Sequence, residues 1–181
     1  ITGTPASPTQ STPASLTLTS TESPASFECN VDGAGYSSCA SPLNLSGLGD
    51  GNHTVLARAS DQYGNVDTTP ASATWTVDTA APAAPTLTRT APTSTPTNTT
   101  TATLTAGSVE SGATLQYTTN GGTTWTNAPG NTNPIQLTGL TNGTTYNYAV
   151  RAVDAAGNAS ASSNTVSWTV DTVAPATPTL T

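Results

Sequence analysis

Lysine and methionine are absent from this chain, and its only basic side chains are Arg58, Arg89 and Arg151. Charged residues make up 7% of the 181 residues, far below the ~25% of ordinary globular proteins. With a net charge of −7 there is no basic patch to meet phosphate, so nucleic acid is not an expected partner. The same deficit argues against anionic membrane surfaces. Without lysine, Lys–Asn isopeptide cross-links cannot form. No apolar run approaches the ~20 residues that span a bilayer, and no signal-peptide pattern is present. The abrupt start at Ile1-Thr2 and end at Leu180-Thr181 lead us to expect a segment of a longer array, for which a missing signal carries no meaning.

Polarity comes instead from Thr, Ser, Asn and Gly. Thr is β-branched and is tolerated on either face of a strand. Short apolar alternations persist throughout, which favours an all-β protein over a disordered one.

The chain also repeats itself. Trp75-Thr76-Val77-Asp78-Thr79-Ala80-Ala81-Pro82 returns as Trp168-Thr169-Val170-Asp171-Thr172-Val173-Ala174-Pro175, 93 residues later. That period is too long for a solenoid unit and suits a small domain. We expect residues 1–79 to form one domain and 80–172 a second. Residues 173–181 would be a linker and the first strand of a following domain or subunit.

Turn signals every 8–12 residues mark a β-sandwich. In the first repeat, Ala14, Leu16 and Leu18 alternate with Ser15, Thr17 and Thr19; Ala25, Phe27, Cys29 and Val31 share a face. Short strands at Gly35–Ser38 and Leu43–Leu45 follow, then His53–Ser60 and Ala71–Asp78. The second repeat matches, with Ala102–Leu104, Leu115 to Thr119, the Asn120-Gly121-Gly122 turn, Ile135 to Leu140, and a long strand through Tyr146 and Ala152.

Cys29 and Cys39 lie ten residues apart across an Asp32-Gly33-Ala34-Gly35 turn. Two thiols do not make a zinc site and the spacing is not C-x-x-C. A structural disulfide is expected, and with it an oxidising, extracellular setting.

Phe27-Glu28-Cys29-Asn30-Val31-Asp32-Gly33, Asp50-Gly51-Asn52-His53-Thr54, Asp61 with Gly64-Asn65, and Trp75-Thr76-Val77-Asp78-Thr79 resemble bacterial immunoglobulin-like repeats. Such repeats occur in tandem in large extracellular surface and adhesin-type proteins. Leu137 to Tyr146 also resembles a fibronectin type III domain, although the strand at Ala102–Thr105 lacks the core Trp of that family. The resemblance implies two seven-stranded Greek-key sandwiches of the immunoglobulin type. It is specific for fold and weak for task.

The candidate site residues are few. His53 is the sole histidine; it stands at the position of Tyr146, a corner tyrosine, and lacks a nucleophile motif. Asp61 and Asp154 open Asp-x-x-Gly-Asn loops, and Asp78 and Asp171 close each domain beside the linker. These four are candidates for calcium or for linker capping, the latter through backbone bonds within their own turns. Trp125 is the candidate ligand platform. Ala176, Thr177, Pro178, Thr179, Leu180 and Thr181 are the candidate inter-subunit strand, able to add to a neighbour by β-augmentation. Five N-x-Ser/Thr sequons follow from composition, and the Thr90–Thr101 stretch suits O-linked sugar.

The expectation is a non-enzymatic spacer or filament subunit on a bacterial surface, with no cofactor other than the calcium considered above. Its partners would be adjacent copies of itself or neighbouring immunoglobulin-like domains, and a host or matrix glycan or protein. The alternative is a carbohydrate- or ligand-binding accessory module of a secreted enzyme.

Overall fold

The computed structural model describes residues 1–23 and 25–180. It resolves into two compact units, Ile1–Ala80 and Ala81–Thr181. Both are all-β, built from antiparallel sheets of the immunoglobulin and fibronectin type III kind.

Unit 1 contains β1 (Ala14–Leu16), β2 (Ala25–Val31), β3 (Ser37–Cys39), β4 (Leu43–Leu45), β5 (Gly51–Asp61) and β6 (Ala71–Val77). One sheet has the order β3-β2-β5-β6 and the other pairs β1 with β4. The alternation of residues sets the layers, because successive strand side chains point to opposite faces. Ala14 and Leu16 of β1 are buried while Ser15 between them is exposed. Ala73, Trp75 and Val77 of β6 face Val55 and Leu16 in the core. Tyr36 falls just before β3, so the return strand starts two residues later than the pattern suggests.

The seventh edge of unit 1 is made by single bridges. Thr2 pairs antiparallel with Thr17, and Thr9 pairs parallel with Val77. The leading segment thus begins on one sheet and finishes on the other. Gly3 makes the first contact feasible: its φ is +85°, and a Cβ there would lie 2.6 Å from the Ser15 carbonyl oxygen.

Unit 2 contains β7 (Thr86–Ala91), β8 (Ala102–Gly107), β9 (Thr114–Thr118), β10 (Thr126–Asn127), β11 (Ile135–Leu137), β12 (Thr145–Val153) and β13 (Val166–Thr169). The sheets are β11-β8-β7 and β10-β9-β12-β13. Here the leading segment is a full strand, paired along β8 with a bulge between Arg89 and Ala91. Leu87, Leu104, Leu115, Ile135, Val150, Trp168 and Val170 form the core.

The two cores brace β2 and β9 differently. In unit 1, Cys29 and Cys39 form a disulfide that ties β2 to β3, with Cα atoms 5.8 Å apart. In unit 2, Tyr117 takes that place and its ring lies 5.7 Å from Tyr148, which in turn stacks 5.5 Å from Trp168. The covalent brace closes a ten-residue separation. Chain entropy assigns such a loop about 2–3 kcal/mol. Reduction, or Cys39→Ala, should therefore lower the stability of unit 1 by about 2–3 kcal/mol in denaturant titration and leave the transition of unit 2 unchanged.

Candidate functional site

The repeated sequence converges on the end of each unit where the last strand leaves. On β6, Trp75 lies opposite His53 of β5, with ring centroids 5.9 Å apart. On β13, Trp168 lies opposite Tyr146 of β12, at 5.6 Å. Both indoles are buried, and neither indole N–H has a hydrogen-bond partner among the described residues. Burial against neighbouring rings holds both indoles, and in unit 2 the Arg89 guanidinium lies over Trp168, 5.3 Å from its ring centroid.

His53 spends both ring nitrogens on structure. Nδ1 is 2.8 Å from Asp32 Oδ2 and Nε2 is 2.8 Å from the Gly49 carbonyl oxygen. Both partners accept, so the doubly protonated ring satisfies both. The Asp32 bond, and after it the Gly49 bond, raise the His53 pKa above the ordinary 6.5. Burial pushes the Asp32 carboxyl up, but the bonds from His53 and from the Thr54 N–H outweigh it and hold the group below 3.8. In unit 2 the phenol oxygen of Tyr146 accepts the Thr141 N–H at 2.7 Å. The two side chains fasten the same corner with different chemistry.

The exits are capped. Asp78 accepts the Ala80 N–H at 3.1 Å, and Asp171 accepts the Val173 N–H at 3.0 Å. Asp50 Oδ1 accepts both the N–H and the hydroxyl of Thr79, at 2.9 and 2.8 Å. Asn142 Oδ1 accepts the Thr172 N–H at 2.7 Å. Asp50 and Asn142 escaped the sequence reading because each lies 29 or 30 residues from the threonine it holds. Their one local signal is the following glycine, which marks the turn that carries them.

Asp61 and Asp154 close their own loops. Asp61 Oδ1 accepts the N–H groups of Tyr63 and Asn65, and Oδ2 accepts the Asn65 amide at 2.7 Å. Asp154 Oδ1 accepts from Gly157 and Asn158, and Oδ2 from the Asn158 amide at 2.9 Å. Among the described residues, no group of three or more His, Cys, Asp or Glu side chains is placed to hold a metal ion.

Trp125 is half-buried and carries Arg151 over one ring face, 4.6 Å from its centroid. Arg151 Nε donates to Gln116 Oε1 at 2.8 Å. Unit 1 has the same triad: Arg58 lies 3.9 Å over Tyr36 and its Nε donates to Glu28 Oε2 at 2.9 Å. This stack on the outer face of each longer sheet was not legible in the sequence, where Arg58 and Arg151 stand far from the rings they cover. Ala176 to Leu180 are exposed and carry no regular structure; Thr181, the last residue of the candidate strand, lies outside the described residues.

No protein-family description matches the chain, and no curated protein sequence does. Solved structures do match. The fibronectin(III)-like modules of Clostridium thermocellum CbhA align over 88% of this chain and 84% of theirs, at 19% identity and a TM-score of 0.52. Murine CEACAM1b aligns over 80% and 85%, at 15% identity and a TM-score of 0.51. Chicken CNTN1 FN1-FN3 domains align over 91% and 64%, at 13% identity and a TM-score of 0.50. These likenesses establish the sandwich fold of the chain.

The Asp32–His53 pair gives unit 1 a pH signature. His53, with its pKa raised above 6.5, contributes in full below that value and its share is lost as pH rises through the raised value. Asp32, lowered from 3.8, contributes above that value and its share is lost as pH falls through the lowered one. Both contributions are at full strength in the interval from 3.8 to 6.5. His53→Phe should remove the loss of stability on the alkaline side, a change of about 1 kcal/mol or less for a pair whose carboxylate is solvent-exposed. Melting curves from pH 5 to pH 9 (roughly the His range) check this, and identical slopes in the two proteins would refute it.

Proposed function

We propose that this chain is a non-enzymatic structural module of an extracellular bacterial fibre or adhesin, serving as a semi-rigid spacer or filament subunit. The observation that carries the reading is the duplicated exit. Both units end on a buried tryptophan, an aspartate that caps the N–H two residues on, and a threonine held by a distant Asp or Asn. A proline-containing leader then follows in each case. What recurs is the means of joining, while the cores differ. We take domain boundaries at residues 79 and 172, where the capped threonines lie, with 173–181 as the leader of a following domain or subunit.

Further features support this reading. The disulfide favours an oxidising, extracellular location. The prolines of each leader fix φ and limit bending. The few charges and absent lysine leave outer faces covered mainly by Thr and Ser, which suits lateral packing with neighbouring copies. Sandwich modules of this kind generally carry no catalysis, and His53, the natural first candidate, has both nitrogens committed.

The rival reading, an accessory binding module, rests on Trp125. Arg151 covers one face of that ring, so at most the other is offered to a sugar. A glycan array on the intact chain separates the two. We expect no binding that depends on Trp125; tight binding lost in Trp125→Ala would replace the spacer with the accessory module. For calcium, the loop carboxylates of Asp61 and Asp154 already accept three bonds each from donors in their own loops. Chelator should therefore leave both melting transitions in place, and a downward shift of more than about 5 °C, on the order of 1 kcal/mol in a domain this size, would establish a metal requirement.

A further inference from the structure

The three arginines of the chain meet three different fates. Arg89 lies over the buried Trp168, and its Nη2 donates to the carbonyls of Thr93 and Ser94. Arg58 stands on the outer face of β5, in register with Glu28 of β2. Its Nε and Nη2 both meet Glu28 Oε2, at 2.9 and 2.8 Å, so the stack on Tyr36 is neutral. Glu28 Oε1 takes part in neither bond, and the Glu28 side chain is 36% exposed.

Arg151 holds the matching place in unit 2, in register with Gln116. Its Nε donates to Gln116 Oε1 at 2.8 Å, and Gln116 Nε2 donates on to Asn127 Oδ1 at 2.9 Å. This relay turns the amide oxygen toward the arginine, while Trp125 backs the guanidinium. The fork is thus oriented but not neutralised: among the described residues, no carboxylate pairs with it. A guanidinium already held in one plane loses little freedom when it meets a carboxylate.

Arg58, Glu28, Arg151 and Gln116 all sit on interior strands of four-stranded sheets, so each stack stands on a sheet face and not at an edge. Strand alternation places Leu56 on the face of Arg58 and Val153 on the face of Arg151. Charge is divided unevenly between the units. Residues 1–80 carry seven of the ten carboxylates and one arginine, a formal −6; residues 81–181 carry three carboxylates and two arginines, a formal −1.

We propose that the outer face around Trp125 and Arg151 is a docking site for the outer face of unit 1 of a second copy of this chain. Arg151 donates to Glu28 Oε1 of that copy, whose Oε2 stays with its own Arg58. The inference rests on the filament reading and specifies its lateral contact. Like faces do not serve: two unit 2 faces would set Arg151 against Arg151, and two unit 1 faces would meet as neutral pairs. The unit 1 face supplies the carboxylate that the unit 2 stack lacks, from the more acidic unit. Each copy therefore carries one donor face and one acceptor face, a heterologous contact.

The test uses two near-isosteric exchanges, each already present in the other unit. Gln116→Glu gives unit 2 the carboxylate of the unit 1 stack and neutralises Arg151 from within. Glu28→Gln gives unit 1 the amide of the unit 2 stack and removes the acceptor. Melting curves check that both chains stay folded. In sedimentation velocity, the average mass of the unmodified chain should rise with concentration. Each variant alone should associate at least about tenfold more weakly. Mixed, the two should recover association, because the Gln116→Glu chain keeps Glu28 and the Glu28→Gln chain keeps an open Arg151. NMR of that mixture should show shifts at the Trp125 indole N–H of the Glu28→Gln chain. An unmodified chain still monomeric at about 1 mM, variants that associate as the unmodified chain does, or a mixture no stronger than its parts would each overturn the proposal. So would shifts at Trp125 and Arg151 produced by a polyuronate in a chain that stays monomeric, which would give the face to an acidic glycan. The spacer reading is judged by the chelator and glycan experiments and survives a chain that does not self-associate.

Discussion

Each unit depends on burying one tryptophan at the end of its last strand. A sandwich of about 80–100 residues buries only some 60–65% of its unfolded surface, and these chains use small apolar side chains for most of it. Trp75 and Trp168 are the largest side chains buried in their cores. Each lies across from the long strand, beside His53 or Tyr146, at the place where the chain turns out into its exit. The indole N–H has no partner among the described residues, so the ring is placed by contacts to its faces and edges, and its neighbours are fixed by other means. The Asp32–His53–Gly49 bonds do this in unit 1, and the Tyr146–Thr141 bond does it in unit 2.

From that anchor the two units diverge. Unit 1 has a covalent brace between β2 and β3, and its residues 1–9 pair through two bridges. Unit 2 has a tyrosine stack and a complete, side-chain-clamped first strand. The outer-face arginine stacks are common to both, with a carboxylate on the guanidinium in one and an amide in the other. The exits agree more closely than the interiors.

Much of the fold was legible because period-two alternation is local. Ala14/Leu16 on β1, the face shared by Ala25 to Val31, and the long strand through Tyr146 all follow from it. The disulfide was legible because ten residues across a glycine turn leave little other choice. The Asp-x-x-Gly-Asn loops were visible as motifs, and their geometry shows the carboxylates engaged within the loops. What stayed hidden is non-local: Asp50 reaching Thr79, Asn142 reaching Thr172, Asn164 holding Leu87, and arginines laid over Tyr36 and Trp125. No spacing rule connects these pairs, because sheet order brings them together.

The central claim is that two self-sufficient sandwiches, each closed on its own tryptophan, are strung together by a repeated join. Residue-resolved amide hydrogen exchange on a Trp75→Ala chain tests it most directly. Removing a buried tryptophan costs about 3–5 kcal/mol. The account predicts that protection collapses along β1 to β6 while the amides of β7 to β13 exchange at their original rates. Loss of protection in both units, or in neither, would contradict it.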